Sequence, residues 1–248
     1  LFLSAGSVIH SIHHEQDMRK MGGLFSKLPL TGSMMWIGSL AIIGFPFFSG
    51  YYSKESILEN AYFANSGIGL YAYIVGILTA LLTAFYSWRL LFMTFHGTSK
   101  LSNKIFNEIK ESPKVMITPL IILSVGSIFS GLFLSNYFVG SEQNNFWLGS
   151  LIISNEYHQH MPFFQTLIIK LFVSIGIFLA AIIYFYKKDL STFLAYKLKS
   201  LYSISYNKWY VDELFKFIFI NPYFFLASFF WKRGDQGFID TYGPDGIS

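Results

Sequence analysis

Lys54 is the residue with the clearest capacity for chemistry. It stands in the stretch Gly44-Phe45-Pro46-Phe47-Phe48-Ser49-Gly50-Tyr51-Tyr52-Ser53-Lys54-Glu55, where a hydrophobic helix is broken by glycine and proline. A charged side chain at the centre of a bilayer costs from roughly 2.5 to over 10 kcal/mol. A broken helix lowers that cost, because loose backbone groups can line a wet cavity. Gly44 and Gly50 accept backbone angles that other residues resist, and Pro46 removes a donor. Transporter sites use such breaks to offer helix ends to ions. Lys54 beside Glu55 therefore has the makeup of an ion-coupling site, in which the amine takes up and releases a proton and the carboxylate tunes how readily. Glu59, about one turn beyond Glu55, either extends a polar exit path or sits solvated near the outer interface. The plainer reading of Lys54 is a side chain snorkelling to the interface, and that of Gly44, Pro46 and Gly50 is an ordinary kink.

The other candidate residues are weaker. His10, His13 and His14 have helical spacing that could seat a metal, with Glu15 and Asp17 nearby. Histidines at a helix end beside a charged loop usually form only hydrogen bonds, so no metal site is expected. His10 could instead join a proton path upstream of Lys54. A bis-histidine haem needs histidines facing each other across a bundle. His10 and His96 lie near the inner boundary, and His158 and His160 in an outer loop. Arg89 and Lys170, near the ends of apolar helices, read as snorkelling cations. The phenylalanines read as lipid-facing and packing residues. Cysteine is absent, which excludes cysteine-ligated iron–sulfur clusters, disulfides and a thiol nucleophile in this segment. No phosphate-binding glycine loop, Walker motif or hydrolytic triad is present. No catalytic residue and no cofactor are assigned to this chain.

The elements that must position these residues are membrane helices. Of the 248 residues, 53% are hydrophobic, 20% aromatic and only 13% charged, and the mean hydropathy is +0.45. Soluble domains carry about 25% charged residues. The net charge of +4 does not point to nucleic acid, since the basic residues lie in loops between apolar runs. A spanning helix needs about 20 apolar residues, and about five candidates fit. They are residues 1–9, which form a short and truncated run, 30–63 containing the break, 70–95, 115–138 and 164–186. The loops alternate in charge. Arg19, Lys20 and Lys27 occupy the first, Lys100, Lys104, Lys110 and Lys114 the third, and Lys187, Lys188, Lys197 and Lys199 follow the fifth helix, whereas 65–69 and 137–161 hold no Lys or Arg. The positive-inside rule then requires 30–63 to cross once, as one discontinuous helix whose second half runs outward from Lys54.

Beyond this bundle, Asp212, Glu213 and Lys216 alternate with Val211, Leu214 and Ile218 at helical spacing, which predicts an amphipathic helix. Asn221-Pro222 is expected to interrupt the apolar run 217–231, so this helix is read as lying along the inner surface. The predicted fold is an all-α membrane protein: a bundle of about five transmembrane helices, one discontinuous, in residues 1–190, then a surface loop and the start of a lateral amphipathic helix in 191–248. Residue 1 is Leu, already inside an apolar run, and the chain reads as part of something larger.

Three blocks carry a family resemblance: Gly6-Ser7-Val8-Ile9-His10, His14-Glu15-Gln16-Asp17-Met18-Arg19-Lys20-Met21-Gly22-Gly23-Leu24, and Ile43-Gly44-Phe45-Pro46 with Ser49-Gly50-Tyr51-Tyr52-Ser53-Lys54. They closely resemble the largest antiporter-like membrane subunit of respiratory complex I, called chain 5 in mitochondria and subunit L in bacteria. Ser87-Trp88-Arg89-Leu90-Leu91-Phe92 and Asn207-Lys208-Trp209-Tyr210-Val211-Asp212-Glu213 fit the same family, while 98–162 is less diagnostic. The resemblance implies further helices upstream with intramembrane Lys, Glu and His residues, and a long lateral helix and a final span downstream. It also implies proton translocation coupled to electron transfer in other chains. NADH, FMN, iron–sulfur clusters and quinone are expected in those partner subunits. The expected partners are neighbouring antiporter-like subunits and lipid, and the expected location is the bacterial inner (plasma) membrane, with the mitochondrial inner membrane as the alternative. The family commonly has Asp after the lysine matching Lys54, and Glu55 keeps that charge on a longer arm. A multi-subunit cation/proton antiporter of the same ancestry is the alternative function, and a purely structural scaffold a third reading.

Overall fold

The computed structural model describes residues 1–64, 66–150, 161–187, 189–240 and 242–243. The chain divides into two compact units, Leu1–Asp189 and Leu190–Ser248. Among the described residues there is no strand.

The first unit begins with α1 (Phe2–Ser11) and α2 (Pro29–Ile43), followed by α3 (Ser49–Phe63) and the long α4 (Gly67–Phe95). Two short helices, α5 (Asn103–Glu108) and α7 (Gln143–Trp147), flank α6 (Lys114–Phe138). The unit ends with α8 (Phe163–Ala181), which runs on through a widened π turn, Ile182–Tyr186. The helices 67–95, 114–138 and 163–186 are long and apolar enough to cross a membrane.

The break expected within 30–63 is present, and the packing lays its two halves end to end along α4, the arrangement one crossing requires. A Cβ on Gly32 of α2 would meet Phe95, near the end of α4, and Trp36 packs edge-on against Trp88. Leu58 of α3 occupies the space beside Gly76, and Tyr62 meets Tyr73. Thus α2 and then α3 run antiparallel to α4, one after the other along its length. Each has 15 residues, about 22 Å at 1.5 Å per residue, which falls short of a hydrocarbon core of about 30 Å. The 29-residue α4 covers both.

Remaining contacts close the bundle. Leu1 lies beside Gly38, and Ser7 hydrogen-bonds Thr31, so α1 is antiparallel to α2. Gly176 brings α8 against the Leu81 carbonyl of α4, and Tyr73 donates to Gln165 at 2.9 Å. The main apolar core joins Val8 of α1 and Ile12 just past its end, Met35 and Ile43 of α2, Ala84, Trp88, Leu91 and Phe95 of α4, and Ala180 of α8.

The charged loop between α1 and α2 is held by its own ion pairs, Arg19 to Asp17 at 2.7 Å and Lys20 to Glu15 at 2.8 Å. The Arg19 side chain and backbone N–H both donate to Asp17 and hold its carboxyl at about 2, below its ordinary 3.8. A depressed carboxyl stabilises the loop fully above its unfolded value and loses that contribution as pH falls through its folded value. The expected result is that the Asp17 carboxyl titrates near 2 in a carbon-13 pH series, moving to the ordinary range in Arg19→Ala. An unchanged Asp17 titration in that variant would remove the ion pair as cause.

In the second unit, α9 (Asp189–Lys197) and α10 (Lys199–Tyr206) precede three left-handed residues, Lys208, Trp209 and Tyr210. A continuous helix follows: α11 (Val211–Phe215), a π turn Lys216–Ile220, α12 (Asn221–Phe229) and a π-helical end Phe230–Asp240. Lys208 and Asp212 pair across one turn at 3.2 Å. The interruption expected at Asn221-Pro222 does not occur. Proline breaks a helix by lacking an N–H and by crowding the carbonyl four residues back, and the π turn immediately before Asn221 re-spaces those carbonyls. The segment 208–240 is therefore also long and apolar enough to span, and 217–231 is exposed on every side within its unit.

Candidate functional site

The break is built by a helix cap and a close backbone approach. Gly44 adopts φ 77°, ψ 44°, and its N–H bonds back to Ala41. This is the left-handed C-terminal cap that favours glycine. Phe47 is left-handed as well, at φ 75°, a costly conformation for a bulky residue and one that concentrates at functional sites. The chain re-enters a helix at Ser49, and Gly50 then sits against the Ala41 carbonyl of α2, with no space for a side chain. The first turn of α3 is thereby laid against the last turn of α2.

Lys54 lies one turn further along α3. Its stem packs along Gly44, and its Nζ donates to the carbonyl of Ile43, the last residue of α2, at 3.2 Å. The final carbonyls of a helix lack intrahelical partners and carry the negative end of its dipole. The ammonium of α3 is thus bonded to the negative terminus of α2.

A cavity of about 230 Å³ opens beside this contact, between the break and α8. Ile43, Gly44, Phe45 and Pro46 form one wall. Tyr51, Lys54, Glu55 and Leu58 form the second, and α8 supplies the third through Thr166, Ile169, Lys170, Val173, Ser174 and Ile177. The lining is mostly apolar, and its polar groups come from Tyr51, Glu55, Lys54, Thr166, Lys170 and Ser174; the volume is large enough for several water molecules.

Glu55 shares this cavity with Lys54, but its described interaction is with the Tyr51 hydroxyl one turn back; no ion pair between Lys54 and Glu55 occurs among the described residues. Glu59 lies further along α3 and accepts the N–H of Met161 at 2.7 Å, pinning the chain just before α8. Removing that acceptor leaves a partly buried N–H without its carboxylate, at a cost of about 1–3 kcal/mol. Glu59→Ala is expected to lower thermal stability by that amount and Glu59→Gln by much less. Equal melting temperatures for Glu59→Ala and wild type would show that the bond anchors nothing.

His10 is separated from this site. It is exposed in the last turn of α1, edge-on to the His14 ring. Its neighbour Ser7 bonds Thr31, 12 residues before Ile43, so nearly the length of α2, about 18 Å, intervenes. His13 approaches Glu108 at 3.5 Å, and no three His, Cys, Asp or Glu residues gather into a metal cluster among the described residues. His96 packs edge-on against Trp36 and Phe92. His158 and His160 lie outside the described residues.

Lys170, expected as an interfacial cation, lines the cavity with its Nζ 5.5 Å from the Tyr51 ring centroid. A lysine in an apolar helix signalled a cost to explain, but nothing in the spacing linked α8 to the break 116 residues earlier. Arg89, also expected at the interface, stacks on the Tyr184 ring at 5.3 Å, and its buried Nε has no hydrogen-bond partner among the described residues.

The arrangement places an ammonium on a helix terminus at the wall of a cavity that also presents a carboxylate and hydroxyls. Residues 86–248 match the family model described as NADH dehydrogenase subunit 5 C-terminus, and residues 1–83 match the model described as NADH:quinone oxidoreductase/Mrp antiporter, TM. The whole chain is 41% identical to an NADH-quinone oxidoreductase subunit L of Rickettsia bellii, covering 39% of that protein. It is 40% identical to an NADH-ubiquinone oxidoreductase chain 5 of Marchantia polymorpha and 38% identical to one of Chondrus crispus, covering 38% and 39% of them. The chain thus spans about two fifths of the length of these relatives. The resemblance carried by the blocks around Gly6, His14 and Lys54 is confirmed over the full length, and the chain belongs to the NADH dehydrogenase subunit 5 family.

Proposed function

We propose that this chain carries the outward end of a proton path in an NADH:quinone oxidoreductase, with Lys54 as the residue that takes up and releases the proton. The observation that carries this reading is the Lys54 ammonium bonded to the Ile43 carbonyl at the helix break, beside a cavity whose mostly apolar wall also carries Tyr51, Glu55, Thr166 and Ser174. With Lys54 charged, the dipole end of α2 has a cation bonded to it. When the proton leaves, the bond to the carbonyl weakens and the amine is free to be recharged. The cavity gives the departing proton water and the polar groups of Tyr51, Glu55, Thr166 and Ser174 as successive partners.

Electron transfer in partner chains, which hold the NADH, FMN, iron–sulfur and quinone sites, drives the cycle by changing the charge next to Lys54. The scale is workable. Moving one charge against 100 mV takes about 2.3 kcal/mol, and each tenfold change in proton affinity supplies about 1.4 kcal/mol. Helix 208–240 meets neighbouring antiporter-like membrane subunits through its uncovered apolar surface. The protein resides in a bacterial plasma membrane or a mitochondrial inner membrane. The match of 86–248 to an NADH dehydrogenase model favours this over a free-standing cation/proton antiporter.

The test is NADH-driven acidification in sealed membrane vesicles carrying the assembled enzyme, in sodium-free medium, comparing Lys54→Met with wild type. Loss of proton movement with assembly and electron transfer retained supports the reading. Full pumping by Lys54→Met removes it and leaves Lys54 as an anchor.

A further inference from the structure

At the opposite end of α2 the structure holds a second polar assembly. Glu111, in the loop between α5 and α6, reaches the N-terminus of α2 and accepts from the backbone N–H of Leu30 at 2.7 Å and of Thr31 at 3.2 Å. Its other oxygen accepts the Thr31 hydroxyl at 2.7 Å. From Thr31 a chain of hydroxyls continues through Ser7 at 3.2 Å to Ser112 at 2.6 Å and Ser11 at 3.2 Å. Ser7, Thr31 and Ser112 are buried. Helix α2 is therefore bonded at its positive end to a carboxylate and at its negative end to the Lys54 ammonium, the two placements a helix dipole favours.

We propose that Glu111 is a positioning residue for Lys54, acting through α2 as a rigid strut; this rests on the role assigned to Lys54 above. The reason is mechanical. Apolar packing gives a membrane helix little axial preference, since lipid tails are as apolar as the side chains, so polar contacts set its position. The buried face of α2 has few large apolar groups: its buried residues are Thr31, Gly32, Met35, Ser39 and Ile43. Glu111 and the hydroxyl chain tie the first turn of α2 to α1 and to the loop before α6, so they fix where the Ile43 carbonyl lies, 12 residues on. The tolerance is small. The Lys54–Ile43 bond is 3.2 Å, and a slip of α2 by one residue moves the carbonyl about 1.5 Å, beyond hydrogen-bond reach. The lysine stem lies along Gly44, beside the carbonyl its amine bonds.

The experiment compares Glu111→Ala, Glu111→Asp, Lys54→Met and the double variant Lys54→Met/Glu111→Ala in the assembled enzyme in sealed vesicles. It reads protons moved per NADH oxidised and the amount of assembled enzyme. Glu111→Ala is expected to slow proton passage about ten- to a hundredfold, the scale of an ångström-level misplacement. Glu111→Asp recovers part of it, and the double variant pumps no worse than Lys54→Met alone, because a residue acting only through Lys54 adds nothing once Lys54 is gone. If Glu111→Ala does not assemble, Thr31→Val, which removes the shared hydroxyl and keeps the shape, is expected to lower pumping in the same direction. Wild-type pumping by assembled Glu111→Ala, or by Thr31→Val where the first fails to assemble, overturns the inference, as does a double variant with additive losses. Loss of pumping in Lys54→Met with none in Glu111→Ala sinks only this inference. Full pumping in Lys54→Met sinks the reading beneath it as well.

Discussion

Lys54→Met is expected to slow proton passage through this chain about a hundredfold or more, the contribution typical of a positioned proton-transfer group, while Lys54→Arg gives the same loss with a better-formed site. Two effects have to be separated. The Lys54 Nζ is the described donor to the Ile43 carbonyl. Methionine fills similar space but leaves that carbonyl unpaired, a penalty of about 1–3 kcal/mol, so some loss of stability accompanies the loss of pumping. Arginine keeps a cation and donors at the dipole end of α2, yet a guanidinium does not release its proton under these conditions. A purely structural or electrostatic role for Lys54 predicts that Lys54→Arg pumps nearly normally. A proton-exchange role predicts that both variants oxidise NADH, assemble and fail to acidify the vesicle. Proton-to-electron ratios for the two variants, read beside the amount of assembled enzyme, decide between them.

Gly50→Val is expected to prevent the helix break from forming at all. A side chain at Gly50 meets the carbonyl of Ala41, a backbone atom that cannot rotate away. Relief requires the first turn of α3 to separate from the last turn of α2. That moves Lys54 away from Ile43 and opens the cavity wall made by Tyr51 and Glu55. Overpacking in a close-packed interior costs about 1–3 kcal/mol even where side chains can adjust, and a clash with backbone is at the upper end of that range. The expected result is little assembled enzyme and no pumping by what assembles. Gly50→Ala, with one carbon in the same place, shows the same defect in milder form. Normal assembly and pumping in Gly50→Val would mean that the close approach of α3 to α2 is dispensable. Gly44 is expected to be more tolerant of Ala, since a Cβ there presses on the flexible stem of Lys54 at 3.2 Å and meets the Gly50 carbonyl and Tyr51 Cα only at ordinary contact distances of 3.6 and 3.7 Å, which leaves the left-handed φ as the main strain.

How much of this was legible in the chain differs by residue. The break was legible because glycine and proline act through local backbone geometry, which sequence reports directly, and because a lysine inside an apolar run is costly wherever it sits. The single crossing of 30–63 followed from the charges of the loops alone, and the register of α2 and α3 along α4 agrees with it. Helix limits at 95, 138 and 186 were legible because a bilayer fixes the length of its helices. The continuity through Asn221-Pro222 was not, because the sequence shows the missing N–H of proline but not the π turn that re-spaces the carbonyls before it.

The amino-acid sequence by itself determined that this is an all-α membrane protein of the complex I antiporter-like kind, that its helix is broken between Gly44 and Gly50, and that Lys54 stands at the break. Only the tertiary structure decided what Lys54 touches. The Ile43 carbonyl, the cavity wall supplied by Thr166, Lys170 and Ser174, and the attachment of Glu111 to the far end of α2 all join residues distant along the chain. Periodicity and propensity describe one element at a time. Which faces of two helices meet depends on side-chain volumes and polar pairing summed over the whole bundle, and those are fixed only when the helices pack.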